Sequence, residues 1–329
     1  MGREKTENRF LLQEYRARVN RAIDYIENNI AEGDLNLKKL SSVAGFSQFH
    51  FHRIFAGMMG ETLNQFIQRI RVEKAAMLLV VNPKKNMTEI AFDCGYSGSA
   101  QFSRAFREKF GKTPSEWRKE KLYAEEESTL SKNKSKISKK KSSSGKEEVF
   151  LHGYDEENNS RRKKMHTIKP SSIEVKKFPD MTVAYVRHVG PYKGNPDLFE
   201  KLISRICSWA GSRELLMPDT KLIAMYHDNP DVTEENKLRV SVCLTMPDNV
   251  RVDSEIGKMK IEGGSYAVAH FEINADEYEQ AWAWVYGTWL PESGYQPDDK
   301  PCFELYGPDP KEHPQGKHIV DICVPVMPL

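Results

Sequence analysis

A chain of 329 residues is long for one core and comfortable for two domains, and its 39% hydrophobic and 29% charged residues exclude a disordered or fibrous protein. No apolar run approaches the roughly 18 residues of a membrane helix and the start, MGREKTENRF, is charged, so the expectation is a cytoplasmic protein with no membrane partner. The net charge of +2 hides a split: residues 1–123 carry 21 Lys and Arg against 14 Asp and Glu, residues 167–329 carry 17 against 25, and a basic front suits nucleic acid where an acidic back does not.

In chain order, Met1, Gly2 and Thr6 match the short myristoylation pattern, but no polybasic or second lipid signal accompanies them. Ile23, Ile26 and Ile30 form one stripe of a helix over 20–30. LKKLSSVA (37–44) is a second apolar-periodic run, and GFSQFHFHRIF (45–55) follows it. Its alternating Phe49, His50, Phe51 and His52 fit a strand, a metal site or a helix equally well. The ambiguity lifts fifty residues on, where GYSGSAQFSRAF (95–106) repeats the pattern. Gly45 aligns with Gly95, and after one inserted residue Phe51, Arg53, Phe55, Gly60 and Thr62 align with Phe102, Arg104, Phe106, Gly111 and Thr113. The shared apolar pair is four apart, which is helical spacing.

Each glycine also follows a short helical run, the second being MTEIAFDC (87–94), opened by Thr88 with Glu89 nearby. Helix, glycine turn and Ser-capped helix make a helix-turn-helix, expected twice. Phe51, Ile54, Phe55, Phe102 and Phe106 would anchor the second helices, leaving Phe49, His50, His52 and Arg53 outward. Histidines at i and i+2 sit roughly 200° apart on a helix and cannot share a metal. The run 61–80 gives a linking helix of about 19 residues, roughly 28 Å long, enough to set two recognition helices over successive major grooves.

Residues 124–166, with STLSKNKSKISKKKSSSGK at their centre, have no apolar periodicity and read as a flexible basic tether that keeps the two ends mechanically separate. The five cysteines are scattered and read as small buried hydrophobes, neither a disulfide framework nor a zinc site.

Residues 167–329 duplicate at an offset of 80, with Trp209 on Trp289, Tyr226 on Tyr306, Val240 on Val320 and Cys243 on Cys323. Each half reads strand, helix, strand, strand: 182–189, 197–210, 221–228 and 239–247, then 265–273, 275–290, 302–308 and 318–326. The expected fold is therefore multidomain: an all-α double helix-turn-helix domain, then an α+β domain of two βαββ repeats with a sheet open on one face. Alternation in CFELY puts Phe303 and Leu305 toward the helices and Glu304 with Tyr306 on the open face. The symmetry mate of Glu304 is Ala224. A carboxylate among aromatics suits a lipophilic cation.

Two resemblances extend this reading. Residues 15–120 resemble the DNA-binding domain of AraC-type transcriptional regulators, through VNRAIDYIENNI, the turns GFS and GYS, IRVEKAAMLL and FREKFGKTPSEWRK. That resemblance implies contacts to double-stranded DNA from Phe49, His52 and Arg53, and from Ser99, Ala100, Gln101, Ser103 and Arg104. Ser99 and Ala100 are short, so the first recognition helix should read more sequence. RNA polymerase is the protein partner expected of such a regulator.

The back resembles the GyrI-like effector-binding domain through VAYVRHVGPY, MYHDNPDVT, GTWLPESGYQ, FELYGPDP and DICVPV. This implies a ligand-binding acid at Glu304 and aromatic walls among Tyr185, Tyr192, Tyr226, Tyr266, Trp289 and Tyr306. The function expected is a one-component transcription regulator sensing a small molecule without a cofactor. The alternatives are a small-molecule hydrolase with Glu304 as base, or a protein acting on gyrase or RNA polymerase.

Overall fold

The computed structural model describes residues 2–32, 34–121, 168–230, 232–253, 255–298 and 300–329, with the side chains of 2–12 and of Phe49 excepted. The tether expected over 124–166 lies outside the described residues. Among them, no helix is long and apolar enough to cross a membrane.

The front is all α: α1 Gly2–Asn28, α2 Leu37–Ala44, α3 Gln48–Met59, α4 Leu63–Val81, α5 Met87–Asp93, α6 Ser99–Phe110 and α7 over 114–121. Periodicity located α2 to the residue, but it found only the last part of α1, because the earlier turns are dominated by charged residues. Local chemistry fixes the ends. Asn36 caps α2, Ser47 caps α3, and Thr62 with Gln65 closes a reciprocal capping box on α4. Asn86 with Glu89 does the same for α5, so the cap lies two residues before the expected Thr88.

Helix α4 serves two cores. Its Leu63, Phe66 and Ile67 pack with Val19, Ile23, Ile26, Leu40, Phe51 and Phe55. Its Val72, Ala75, Leu78 and Leu79 pack with Ile90, Phe102 and Phe106. The halves are tied by Arg71, whose Nε and Nη2 donate to the carbonyls of Ile30 and Glu32 at 3.3 and 3.0 Å.

The turn glycines differ in what surrounds them. Both have positive φ, 70° at Gly45 and 75° at Gly95, but a Cβ at Gly45 would meet only Arg18 at 3.9 Å. At Gly95 it would lie 2.3 Å from the Ile30 carbonyl and 2.8 Å from Arg71. The second turn is thus seated on the Arg71 tie.

The back is one antiparallel sheet with two helices: β1 Ser172–Phe178, β2 Met181–Val189, α8 Pro196–Gly211, β3 Leu222–Tyr226, β4 Arg239–Thr245, β5 Gly257–Ile261, β6 Gly264–Ile273, α9 Tyr278–Trp284, β7 Tyr295–Pro297, β8 Cys302–Tyr306 and β9 His318–Pro328. The strand order is β1-β6-β9-β8-β3-β4-β2-β5, with β7 on β9. The expected repeats are present, and their mates β3 and β8 pair at the centre, Ala224 directly opposite Glu304.

Sequence reading missed β1 and β5. Each precedes one repeat yet pairs with the other, β1 on β6 and β5 on β2, so the halves exchange their edges. Both carry lysines (Lys176 and Lys177; Lys258 and Lys260), as edge strands do to discourage further pairing.

Cross-strand partners share a face, so the register assigns the sides. Val186, Val242, Ala224, Glu304, Ile322 and Ala269 form one row across the sheet. Val186 and Val242 pack against α8, while Ile322 and Ala269 pack against α9. The expected orientation of β8 is therefore reversed: Glu304 faces the helices, and Phe303 and Leu305 face the other way with Tyr185, Ile223 and Cys243. Nor is that other face open, because α1 lies beside it and the Tyr185 hydroxyl donates to Asp24. The two domains are in contact.

On this basis Gly45→Ala should cost about 1 kcal/mol through φ alone, and Gly95→Ala about 2–4 kcal/mol because Arg71 must also be displaced. Urea unfolding of the two variants measures the difference, and equal losses would mean that the Arg71 tie is soft.

Candidate functional site

The first site is the outer surface of α3 and α6. Phe51 and Phe55 of α3, and Phe102 and Phe106 of α6, are fully buried. That anchoring leaves His50, His52 and Arg53 exposed on α3, and Ser99, Ala100, Gln101 and Arg104 exposed on α6, with Ser103 half-buried. Phe49 lies in α3, its side chain outside the described set.

The two helices start differently. Ser47 accepts from the His50 amide, but the inserted residue makes Gly98 the N-cap of α6, with no side-chain cap. Ser97 does not cap as expected. Instead Gln101 Oε1 accepts from the Ser97 amide at 3.2 Å and from its hydroxyl at 2.8 Å, pinning the Gln101 side chain to the turn.

The second site is built around Glu304, which is 1% exposed. Three neutral donors reach it: Tyr226 and Tyr306 hydroxyls to Oε2, each at 2.9 Å, and Trp282 Nε1 to Oε1 at 2.6 Å. Burial pushes its carboxyl above the usual range, while the three hydrogen bonds act in the opposite direction. Among the described residues, no Lys or Arg forms an ion pair with it. The phenols of Tyr226 and Tyr306 are pushed well up by burial and by the Glu304 charge, so they stay neutral donors.

Aromatic rings enclose the carboxylate. Tyr226 meets Trp282 edge-on at 5.8 Å and Tyr192 at 5.5 Å, and Trp282 stacks on Tyr286 at 6.1 Å. Tyr286, 39% exposed, forms the outer edge of this box. A cleft runs from Glu304 past Tyr192 toward Met77 of α4 and Trp117 of α7.

Of the expected wall residues, the structure brings Tyr192, Tyr226 and Tyr306 to Glu304. Tyr185 and Tyr266 belong to the opposite face of the sheet, for the register reason given above. Trp289 stacks on Tyr295 instead. Trp282 and Tyr286 were missed, although Tyr278, Trp282 and Tyr286 recur every four residues in YEQAWAWVY, the spacing of one helical stripe.

Comparison with known proteins identifies the domains that carry the two surfaces. Residues 171–327 match the family described as the GyrI-like small molecule binding domain, and residues 40–120 match a helix-turn-helix domain. The chain is similar to DNA gyrase inhibitor 2 of Dickeya dadantii, 33% identical over 132 residues that cover 39% of this chain and 80% of that protein. The chain belongs to the GyrI-like family. In front of that domain it carries an AraC-type helix-turn-helix domain, which makes it a DNA-binding transcription regulator with a small-molecule domain.

The DNA gyrase inhibitor of Escherichia coli K12 is 31% identical over 138 residues, 41% of this chain and 85% of that protein. Among solved structures, the EcmrR C-terminal domain is similar at 18% identity and a TM-score of 0.41, over 48% of this chain and 98% of that one.

In this GyrI-like domain a carboxyl whose pKa is raised on folding contributes stability below its unfolded value, and that contribution is lost as pH rises through the folded value. Glu304→Gln should therefore stabilise the protein by roughly 0.5–2 kcal/mol at neutral pH and flatten the decline that the wild type shows above the ordinary carboxylate range. Urea midpoints across pH test this, and parallel curves for the two proteins would contradict it.

Proposed function

We propose that this regulator senses an organic cation at Glu304 and, through α3 and α6, reads two successive major grooves of one DNA site. The observation that carries the sensor reading is the buried carboxylate held by three neutral donors without a counter-charge. Burying an ion is costly unless it is paired, and a lipophilic cation supplies the missing charge while the rings supply cation–π contact. Both oxygens are covered by Tyr226, Tyr306 and Trp282, so a ligand enters by displacing a ring at the Trp282–Tyr286 edge. The same covering supports a binding role over a catalytic one, since three donors occupy the carboxylate and the side chain is almost wholly buried.

For DNA, the reading assigns contacts to Phe49, His50, His52 and Arg53, and to Ser99, Ala100, Gln101, Ser103 and Arg104. What supports it is their place on the two anchored helices, with His50, His52, Arg53, Ser99, Ala100, Gln101 and Arg104 exposed. A basic tether over 124–166 and RNA polymerase as a protein partner belong to the same proposal, on the regulator architecture.

Three measurements test it. Glu304→Gln should weaken a cationic ligand by about tenfold or more and leave its uncharged isostere nearly unchanged; equal loss of both would make Glu304 structural. Cation affinity should rise with pH as the raised Glu304 carboxyl ionises and then level off, and binding should release a proton, seen by calorimetry in buffers of different ionisation enthalpy. Arg53→Ala should cost roughly 1–3 kcal/mol of DNA affinity and relax the preferred sequence; selection from random duplex returning an unchanged motif would refute that contact.

A further inference from the structure

The end of β3 faces two ways. Tyr226 donates to Glu304 on the helix side of the sheet. Successive strand residues point to opposite faces, and the next residue, His227, lies on the side that meets α1. Its Nδ1 is 3.4 Å from Glu27 Oε1, and its Nε2 is 2.8 Å from the Ser241 hydroxyl and 3.3 Å from Arg187 Nη2.

These atoms belong to a socket for two acids of α1. Arg187 Nη1 lies 2.8 Å from Asp24 Oδ1, and Arg239 Nη1 lies 2.7 Å from Glu27 Oε1. Those two guanidinium nitrogens fall outside hydrogen-bond geometry, so the contacts are ionic. Asp228 holds Arg239 in place, accepting from its Nη2 at 2.6 Å and its Nε at 2.9 Å. Burial alone would raise the Glu27 carboxyl, but Arg239, His227 and Arg187 outweigh it and hold the group far below the usual range.

The segment between His227 and Arg239 then reaches the rest of the DNA-binding domain. Val232 packs on the core under α6. Thr233 donates to Glu73 Oε2 of α4 at 2.9 Å, and Glu73 is itself paired with Arg69, which is paired with Glu61 at the start of α4. Glu234 pairs with Lys109 of α6 at 3.0 Å. One effector-domain loop therefore touches α1, the middle of the linking helix, Glu61 just before that helix and the second recognition helix. None of these contacts uses the exposed residues of α3 and α6, so docking holds the reading surfaces in place without covering them.

We propose that Tyr226, His227, Thr233, Glu234 and Arg239 couple occupancy at Glu304 to the placement of the DNA-binding domain, Tyr226 sensing the ligand while His227, Arg239, Thr233 and Glu234 grip α1, α4 and α6. The proposal rests on Glu304 being the effector site. Trp282 meets the Tyr226 ring edge-on at 5.8 Å, so displacing Trp282 from Glu304 shifts Tyr226 and with it the strand end that carries His227. Because the grip is made of ion pairs and hydrogen bonds, water can replace them on release, which an apolar interface does not permit at small cost.

A ligand-free arm and a ligand arm test this in the full chain. In the first, Tyr226→Phe removes only the hydroxyl that reaches Glu304, and amide hydrogen exchange should speed up in 227–238 and also in α1 and α4. Exchange that changes only in β3, β8 and α9 overturns the coupling. In the second, tetraphenylphosphonium serves as the cation, and the wild type should change its operator affinity by at least about fivefold when it binds. The double variant Glu27→Gln, Thr233→Val should lose that change while its calorimetric affinity for tetraphenylphosphonium stays within about twofold. Retention of the full change also overturns the proposal. Failure of tetraphenylphosphonium to bind the wild type counts against the cation reading of Glu304, and the exchange arm then decides the coupling alone.

Discussion

Buried charge has to be matched, and this chain buries charge on both faces of one sheet with opposite solutions. On the helix side, Glu304 is met by hydroxyl and indole donors that carry no charge. On the other side, Arg187 and Arg239 are met by Asp24, Glu27 and Asp228. The first arrangement leaves the carboxyl raised by burial and is eased by a proton or, on the proposed reading, by a cation. The second is complete only when α1 is seated. Sheet pleat links them, since Tyr226 and His227 are neighbours in sequence and serve opposite faces.

Duplication explains why such specific sites sit on so regular a scaffold. Each half of each domain repeats the packing residues: Phe51 and Phe55 become Phe102 and Phe106, and β3 with β4 becomes β8 with β9. The residues that differ are those that do chemistry. Ala224 stands opposite Glu304, so a single carboxylate sits near the pseudo-dyad where two would repel. Ser47 caps α3 while Gly98 begins α6, and the extra residue lets Gln101 brace the turn. Equivalent frames thus present inequivalent surfaces.

Much of this was legible in the sequence, and the failures have physical causes. The helices with both an apolar stripe and a capping residue were located closely, because two independent signals agreed. Residues 2–9 offered no apolar position and the stripe through Leu12, Tyr15 and Val19 is interrupted by charges, while β1 and β5 offered lysine-bearing edges, so their signals were weak. Alternation grouped Glu304 with Tyr306 and Cys302 correctly, but it cannot say which side of a strand the helices cover. Assuming that the apolar side is the covered one inverted β8, because here the covered side holds a buried carboxyl. No periodic signal marks Asp24 and Glu27. Only the folded chain brings Arg187 and Arg239 to them.

The exchanged edges of the sheet also set an order of assembly. The front domain is closed by neighbouring helices, whose contacts are short-range and form quickly. The back domain cannot close its first half until β5 emerges, nor seat β1 until β6 exists, and its central partner β8 comes later still. During synthesis from the N-terminus the helix-turn-helix unit therefore completes first, and α1 presents Asp24 and Glu27 to solvent until the last strands arrive. For that interval the nascent polypeptide is a DNA reader without its sensor, and the polar character of the α1 surface keeps it soluble while it waits.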